Sequence, residues 1–291
     1  MPVRLKHTLQ GHRGAVYSLA RMPGTGLLSA GGDGIIALWD LQRGENKGAL
    51  AMLPAAVFSL CLSENGQYLL AGTEKGGIHV LDLRLKQETH HLSYLENGVF
   101  QIDMLPGGKG YYALGGNGVL AFMNPGFSLG DRIKVSGAKL RTAAFYDSCL
   151  WVGDSAGFVT QLSADGHQVL NGWQAHRPSV YGLVFSGGYL YTSGRDGHIR
   201  KWDLQGRLQW EIAAHNYAVY RLLMLPGDRL VSASRDRKIK FWSAGDGSFI
   251  ERIERAGGGH RASVNALLYL PEEKCLVSGS DDKEIKIWQS A

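Results

Sequence analysis

Short runs in which apolar and polar positions alternate recur along the whole chain, each closed by Gly, Asp or Asn; the first are 15–21, 26–30, 35–39 and 47–52. Period-two alternation over roughly four to eight residues, bounded by turn formers, predicts half-buried β-strands joined by tight turns. No window carries the apolar period of an amphipathic helix. The pattern therefore predicts an all-β chain.

The alternation is itself repeated. Four segments superpose without gaps: Leu28-Ser-Ala-Gly-Gly-Asp33-Gly-Ile-Ile-Ala-Leu-Trp39, Tyr191-Thr-Ser-Gly-Arg-Asp196-Gly-His-Ile-Arg-Lys-Trp202, Val231-Ser-Ala-Ser-Arg-Asp236-Arg-Lys-Ile-Lys-Phe-Trp242 and Val277-Ser-Gly-Ser-Asp-Asp282-Lys-Glu-Ile-Lys-Ile-Trp288. In each, a Ser or Thr (Ser29, Thr192, Ser232, Ser278) stands four residues before the Asp, and a Trp six after it. His12, His176, His215 and His260 precede those Asp residues by 21, 20, 21 and 22 positions. Three weaker copies, 70–81, 113–123 and 152–162, fill the interval and carry Leu81, Met123 and Leu162 in place of the Trp. The anchors at 39, 81, 123, 162, 202, 242 and 288 are separated by 42, 42, 39, 40, 40 and 46 residues, so seven units account for the chain. A fixed period of this length is the mark of a repeat architecture.

Four strands per unit, with Gly11-His12 at the start and Trp39-Asp40 near the end, and Trp202-Asp203 again, resemble the WD-repeat β-propeller family. Units 1, 5, 6 and 7 carry its motifs; units 2, 3 and 4 match by spacing and strand pattern. The resemblance implies one seven-bladed propeller domain over 1–291, with four-stranded antiparallel blades. It also implies that each His, Ser or Thr, Asp and Trp set forms a buried network inside its blade. Only three residues follow Trp288, whereas Val3–Leu9 is an unused strand-like segment ahead of the first unit. The N-terminal strand is therefore expected to pair onto the last blade, closing the ring and removing two exposed edges.

Composition narrows the function. Gly is 40 of 291 residues, about twice the roughly 7% of average chains, as expected where turns punctuate many strands. Lys plus Arg is 31 against 26 Asp plus Glu, a balance of +5 that argues against strong nucleic-acid or membrane polarity. No apolar stretch approaches the ~18 residues of a membrane span, and the start, MPVRLKHTLQGH, has no apolar core of a secretory leader. Cys61, Cys149 and Cys275 lie far apart in apolar runs, the pattern of inert buried thiols in a reducing, cytoplasmic setting.

Several motifs invite a catalytic reading. Ser, His and Asp together are a nucleophile arrangement, but one repeated in four units serves the repeat, because a unique reaction needs a unique site. Gly153-Asp-Ser155-Ala-Gly157 fits G-x-S-x-G, yet it falls in a strand-to-strand turn, where the nucleophile elbow does not work. The pair His90-His91 could bind a metal weakly on an outer strand, and the four repeat His lie too far apart to share one ion. No phosphate-cradling string occurs, and no cofactor is expected. The basic run 235–240 alternates, which places Lys238 and Lys240 on a strand's solvent face rather than in a nucleic-acid groove.

One constellation survives. Aligning the innermost strands brings Tyr17, Phe58, Phe100, Arg141, Tyr181, Tyr220 and Asn265 to one position, which the family resemblance places at the top mouth of the central channel. The residue before the turn Asp gives a second rim set, including Glu74, Arg195, Arg235 and Asp281, with Arg141, Arg195 and Arg235 making blades 4 to 6 the basic sector. Side chains at such a mouth either grip a partner or plug the channel.

These residues point to a non-enzymatic platform, a monomer or a subunit of a larger complex, that binds a peptide or protein segment with acidic or aromatic side chains on its top face. Two alternatives stay open. A propeller hydrolase of the lactonase or glycosidase type would need several polar residues converging at the mouth, where the ring offers Asn265. A subunit of an RNA- or ribosome-associated assembly draws on a pI of about 9.0.

Overall fold

The strands lie where the alternation placed them, and the computed structural model, which describes residues 3–24 and 26–290, groups them into seven four-stranded antiparallel sheets. In chain order the sheets span 16–52, 57–92, 99–134, 140–174, 180–213 and 219–253. The seventh combines 264–290 with Val3–Leu9. These are the blades of a seven-bladed propeller, each running from its innermost strand at the channel to its outermost strand at the perimeter. Of the span expected for the domain, Met1, Pro2 and Ala291 lie outside the described residues, as does Thr25.

Closure is explicit in the register. Val3–Leu9 runs antiparallel to Ile285–Ser290, from Val3 opposite Ser290 to Leu9 opposite Ile285, with one irregularity between Leu5 and His7. The outermost strand of the last blade thus comes from the start of the chain, and Leu9, 1% exposed, packs with Val16, Trp39, Ile285 and Ile287. The ring is joined by side chains as well as by strand pairing.

Apolar packing is divided among the seams between neighbouring blades, one cluster to each of seven seams. Blades 2 and 3, for example, share Leu70, Ile78, Val80, Val99, Ala113 and Met123. Each anchor residue fills the seam toward the preceding blade: Trp39 packs with Val277 of blade 7, Leu81 with Leu28 of blade 1 and Trp242 with Ile199 of blade 5. A sheet buried on both faces reads as a near-continuous apolar strand, and the third strand of blade 2, Ile78–Asp82, is buried along its whole length.

Among the described residues, two short 3-10 turns, Pro106–Gly108 and Arg255–Gly257, are the departures from an all-strand reading. The second lies in the connection 254–263, which absorbs the wider last spacing of 46 residues. Gly258, after that turn, takes a left-handed φ of 81°. No helix among the described residues is long and apolar enough to cross a membrane.

Candidate functional site

Four blades contain the same relay. Trp39 Nε1–H donates to Ser29 Oγ at 2.7 Å, Ser29 Oγ lies 2.7 Å from His12 Nε2, and His12 Nδ1 lies 2.9 Å from Asp33. The indole can only donate, so the hydroxyl proton goes to Nε2 and Nδ1–H goes to the carboxylate, which fixes a neutral imidazole tautomer. The other three blades repeat it through Trp202, Thr192, His176 and Asp196, through Trp242, Ser232, His215 and Asp236, and through Trp288, Ser278, His260 and Asp282. A Cβ on Gly194 would lie 2.4 Å from the His176 ring, so the close approach of strand and imidazole requires glycine there.

The electrostatics follow from burial. Burial pushes His176 and His215 below the ordinary imidazole value, even though each has a carboxylate partner. Burial works against ionised Asp282 too, but the hydrogen bond from His260 and the backbone N–H groups of Arg261 and Glu284 outweigh it and hold the carboxyl at about 2. Although this resembles a Ser–His–Asp triad, all four hydroxyls, on Ser29, Thr192, Ser232 and Ser278, are 0% exposed and occupied by an indole. They cannot meet a substrate.

The channel mouth is built by a backbone irregularity that recurs in every blade. The pairing of the innermost with the second strand shifts by one residue immediately after its first Val or Leu, between Val16 and Ser18, Val57 and Ser59, Val99 and Gln101, Leu140 and Thr142, Val180 and Gly182, Val219 and Arg221, and Val264 and Ala266. The residue left without a ladder partner is in turn Tyr17, Phe58, Phe100, Arg141, Tyr181, Tyr220 and Asn265. A β-bulge bends its strand and re-aims the extra side chain. Seven bulges therefore place seven side chains at one end of the channel, where they line a cavity of about 400 Å³ together with Arg221 and Asp281.

The lining is continuous on one side. Tyr17 meets Phe58 edge-on at 5.5 Å, Phe58 stacks on Phe100 at 5.5 Å, and Arg141 lies over Phe100 with Cζ 4.1 Å from the ring centre and 5.7 Å from that of Tyr181. Tyr181 meets Tyr220 edge-on at 5.3 Å. Asn265 Nδ2 donates to Asp281 at 2.8 Å and to the Val16 carbonyl at 3.2 Å, fastening blade 7 to blade 1. Burial lowers the basicity of Arg141 and raises the pKa of Tyr220. Burial also raises that of Tyr17, helped by the charges of Asp281 and Glu74.

Other sequence expectations fare differently. Arg195 and Arg235 are exposed and lie outside the cavity lining, Arg235 over the ring of Tyr217 at 5.9 Å. Glu74 borders an adjoining groove with Lys75, Asn97 and Lys139. Lys240 is half-buried rather than free in solvent: its long stem lets Nζ reach back to donate to the Ala214 carbonyl at 2.6 Å. Among the outer-strand imidazoles, His91 stacks on His79 at 4.4 Å, and His79 Nδ1 lies 3.0 Å from Glu88. Among the described residues no group of three or more His, Cys, Asp or Glu is placed to hold a metal ion. Ser155 sits between the strands Cys149–Asp154 and Phe158–Ser163, its Oγ accepting from Lys139 N–H at 3.0 Å. Cys149 is half-buried rather than buried; Cys61 is buried, which pushes its thiol up to about 12.

Arg221 was not among the expected residues, although the strand alignment carries its signal. Its equivalents are Ser18, Ser59, Gln101, Thr142, Gly182 and Ala266, so a cation stands where the other six blades have small or neutral side chains.

Comparison with known proteins bears on the repeat. The WD40 model, described as WD domain, G-beta repeat, matches residues 3–40, 166–203, 206–243 and 253–289, the stretches that carry the relay. Over 84 residues the chain is 39% identical to the small ribosomal subunit protein RACK1z of Arabidopsis thaliana, covering 28% of this chain and 25% of that protein. It is 23% identical to WD repeat-containing protein 91 of Xenopus tropicalis, covering 88% of this chain and 41% of that protein. It is 22% identical to transcription factor unc-37 of Caenorhabditis elegans, covering 100% and 43%. The matched stretch is thus less than half of each relative. The solved WD40 beta propeller domain of Doa1 superposes with a TM-score of 0.87 at 19% identity, covering 100% of this chain and 97% of that one.

Proposed function

The chain belongs to the WD-domain, G-beta repeat family, and from that footing we propose that it is a non-enzymatic protein-interaction platform that grips a peptide segment or protein loop on its top face. The observation that carries this reading is the bulge-built mouth, where four aromatic residues and Arg141 run side by side around a cavity of about 400 Å³ from Phe58 to Tyr220, with Tyr17 next to them. Aromatic and Arg side chains dominate the energetics of protein interfaces. Arg195 and Arg235, exposed on blades 5 and 6, extend a basic sector beside Tyr181 and Tyr220 that suits an acidic or aromatic segment. Three free cysteines suit a reducing, cytoplasmic setting.

The ribosome-associated alternative draws on the likeness of 84 residues to RACK1z, which involves 28% of the chain. The hydrolase alternative gains nothing from Asn265 and Asp281, which are bonded to each other. Affinity purification from the native host followed by mass spectrometry tests the platform reading. The expected result is one stoichiometric protein partner that Tyr220→Ala releases; a partner retained equally by Tyr220→Ala would move the binding surface elsewhere.

A further inference from the structure

The mouth cavity holds an electrostatic imbalance. Three of the side chains equivalent to Arg221 are tied to the neighbouring blade: Leu60 N–H donates to Ser18 Oγ at 3.0 Å, Ser59 Oγ donates to the Val99 carbonyl at 3.1 Å, and Gln101 spans the N–H and carbonyl of Ala143 at 2.9 and 2.8 Å. Arg221 has no such tie. Among the described residues its guanidinium makes no hydrogen bond, ion pair or ring contact; the residue is half-buried, and that burial lowers its basicity. Arg141, which lines the same cavity, lies over the rings of Phe100 and Tyr181, and its buried Nε has no hydrogen-bond partner. Cations drawn partly out of water with no counter-charge are costly, so two half-buried guanidinium groups facing one cavity without an anionic partner among the described residues are a feature that a bound anion would relieve.

We propose that this cavity receives one carboxylate side chain of a partner segment, bound between the guanidinium groups of Arg141 and Arg221. The proposal rests on the reading of the top face as a docking surface and names what enters it. Charge selects the ligand. Arg141 and Arg221 contribute two positive charges and Asp281 one negative, so a single carboxylate brings the lining to neutrality, whereas a phosphate dianion would overshoot it. Asp281 lines the same cavity and accepts from Asn265 Nδ2 at 2.8 Å, but among the described residues it forms no ion pair with either guanidinium. A guanidinium pinned by flanking rings is preorganised to present its donors, and charge-assisted bonds to a carboxylate are the strong ones. The rings of Phe58, Phe100 and Tyr220 leave an apolar wall for the methylenes that carry the carboxylate.

The test uses the full chain and three capped pentapeptides: Gly-Phe-Glu-Phe-Gly, the same with Gln at the centre, and the same with phosphoserine there. In wild-type protein the Glu peptide should bind about tenfold or more tighter than the Gln peptide, and Arg221→Met should abolish that preference, as removal of one member of a desolvated charge pair does. The melting temperature of Arg221→Met should equal or exceed that of wild type, because an unpaired cation has gone; a residue with only a structural role would lower it. Equal affinity for the Glu and Gln peptides, a preference that survives Arg221→Met, tighter binding of the phosphoserine peptide, or no binding of the Glu peptide at millimolar concentration would each overturn the inference. If Glu and Gln peptides bind equally and Tyr220→Ala weakens both, the docking surface stands and the carboxylate receptor falls.

Discussion

Blades 1, 5, 6 and 7 are locked by a polar relay, whereas blades 2, 3 and 4 occupy the same ring without one. In the first group the anchor Trp fills a seam and at the same time donates to a buried hydroxyl, so packing and polar satisfaction act through one side chain. In the second group the anchors are Leu81, Met123 and Leu162, which fill their seams and can donate nothing. Aromatic residues from other positions supply the missing bulk: Tyr111, Phe127 and partly buried Tyr68 between blades 2 and 3, and Tyr112 with partly buried Phe122 and Phe145 between blades 3 and 4. At the turn position of blade 3, where the relay blades have a bonded Asp, the Oδ1 of Asn117 is buried without a partner. Blade 4 keeps a local remnant, Ser136 Oγ donating to Asp154 at 2.6 Å. Seam packing is therefore the common requirement of a blade, and the relay is an addition that fixes the turn and the strand ends.

The largest test of that view is removal of residues 1–9, which strips the outer strand from blade 7 and Leu9 from its seam. The truncated protein should aggregate, because an exposed strand edge is a template for pairing. Size-exclusion profiles and thermal melts indistinguishable from wild type would mean that this strand does not close the ring.

Next comes Met123→Ala, in the seam between blades 2 and 3, where loss of a buried Met should cost about 2–5 kcal/mol by denaturant melts. Asp236→Ala in blade 6 should cost less, about 1–3 kcal/mol, by leaving His215 Nδ1–H without its acceptor. If the order were reversed, the relay rather than the seam would be the main lock. Binding to a partner should follow stability in both variants.

Acidification should single out blades 5 and 6 at smaller amplitude. His176 and His215 are held neutral below their ordinary value by burial, so the unfolded chain takes up protons first as pH falls below about 6.5, and stability is lost from there down to the folded-state pKa. A second loss belongs to Asp33, Asp236 and Asp282. Burial opposes their ionised forms, but relay and backbone hydrogen bonds hold them low, and their contribution disappears as pH falls from about 3.9 toward the folded values. Hydrogen exchange read blade by blade should show the first loss in blades 5 and 6; uniform loss across all blades would contradict it.

Much of this was legible in the sequence because repeat spacing and alternation report directly on strands and turns. The anchors at Trp39, Leu81 and Met123 marked off successive blades, and Val3–Leu9 announced closure. The bulges were hidden, since apolar alternation reads on through Val16, Ser18 and Ala20 without showing that Tyr17 has no ladder partner. Lys240 was misplaced because period-two patterning assigns a face to the Cβ and says nothing of where a four-carbon stem ends. Arg221 was visible as the odd residue in a column of small and neutral ones, but its isolation became apparent only once the cavity was assembled.

The central claim is that the bulge-built mouth is the binding surface, and calorimetric titration of the purified partner against Tyr220→Ala tests it most directly. Gln87→Ala, on the exposed outermost strand of blade 2, serves as control. Loss of a hot-spot aromatic should weaken binding by about 2 kcal/mol or more, roughly thirtyfold, while the control leaves affinity unchanged. Equal affinities for Tyr220→Ala and wild type would contradict the claim, and a Tyr220→Ala protein that is strongly destabilised would show the ring to be channel packing.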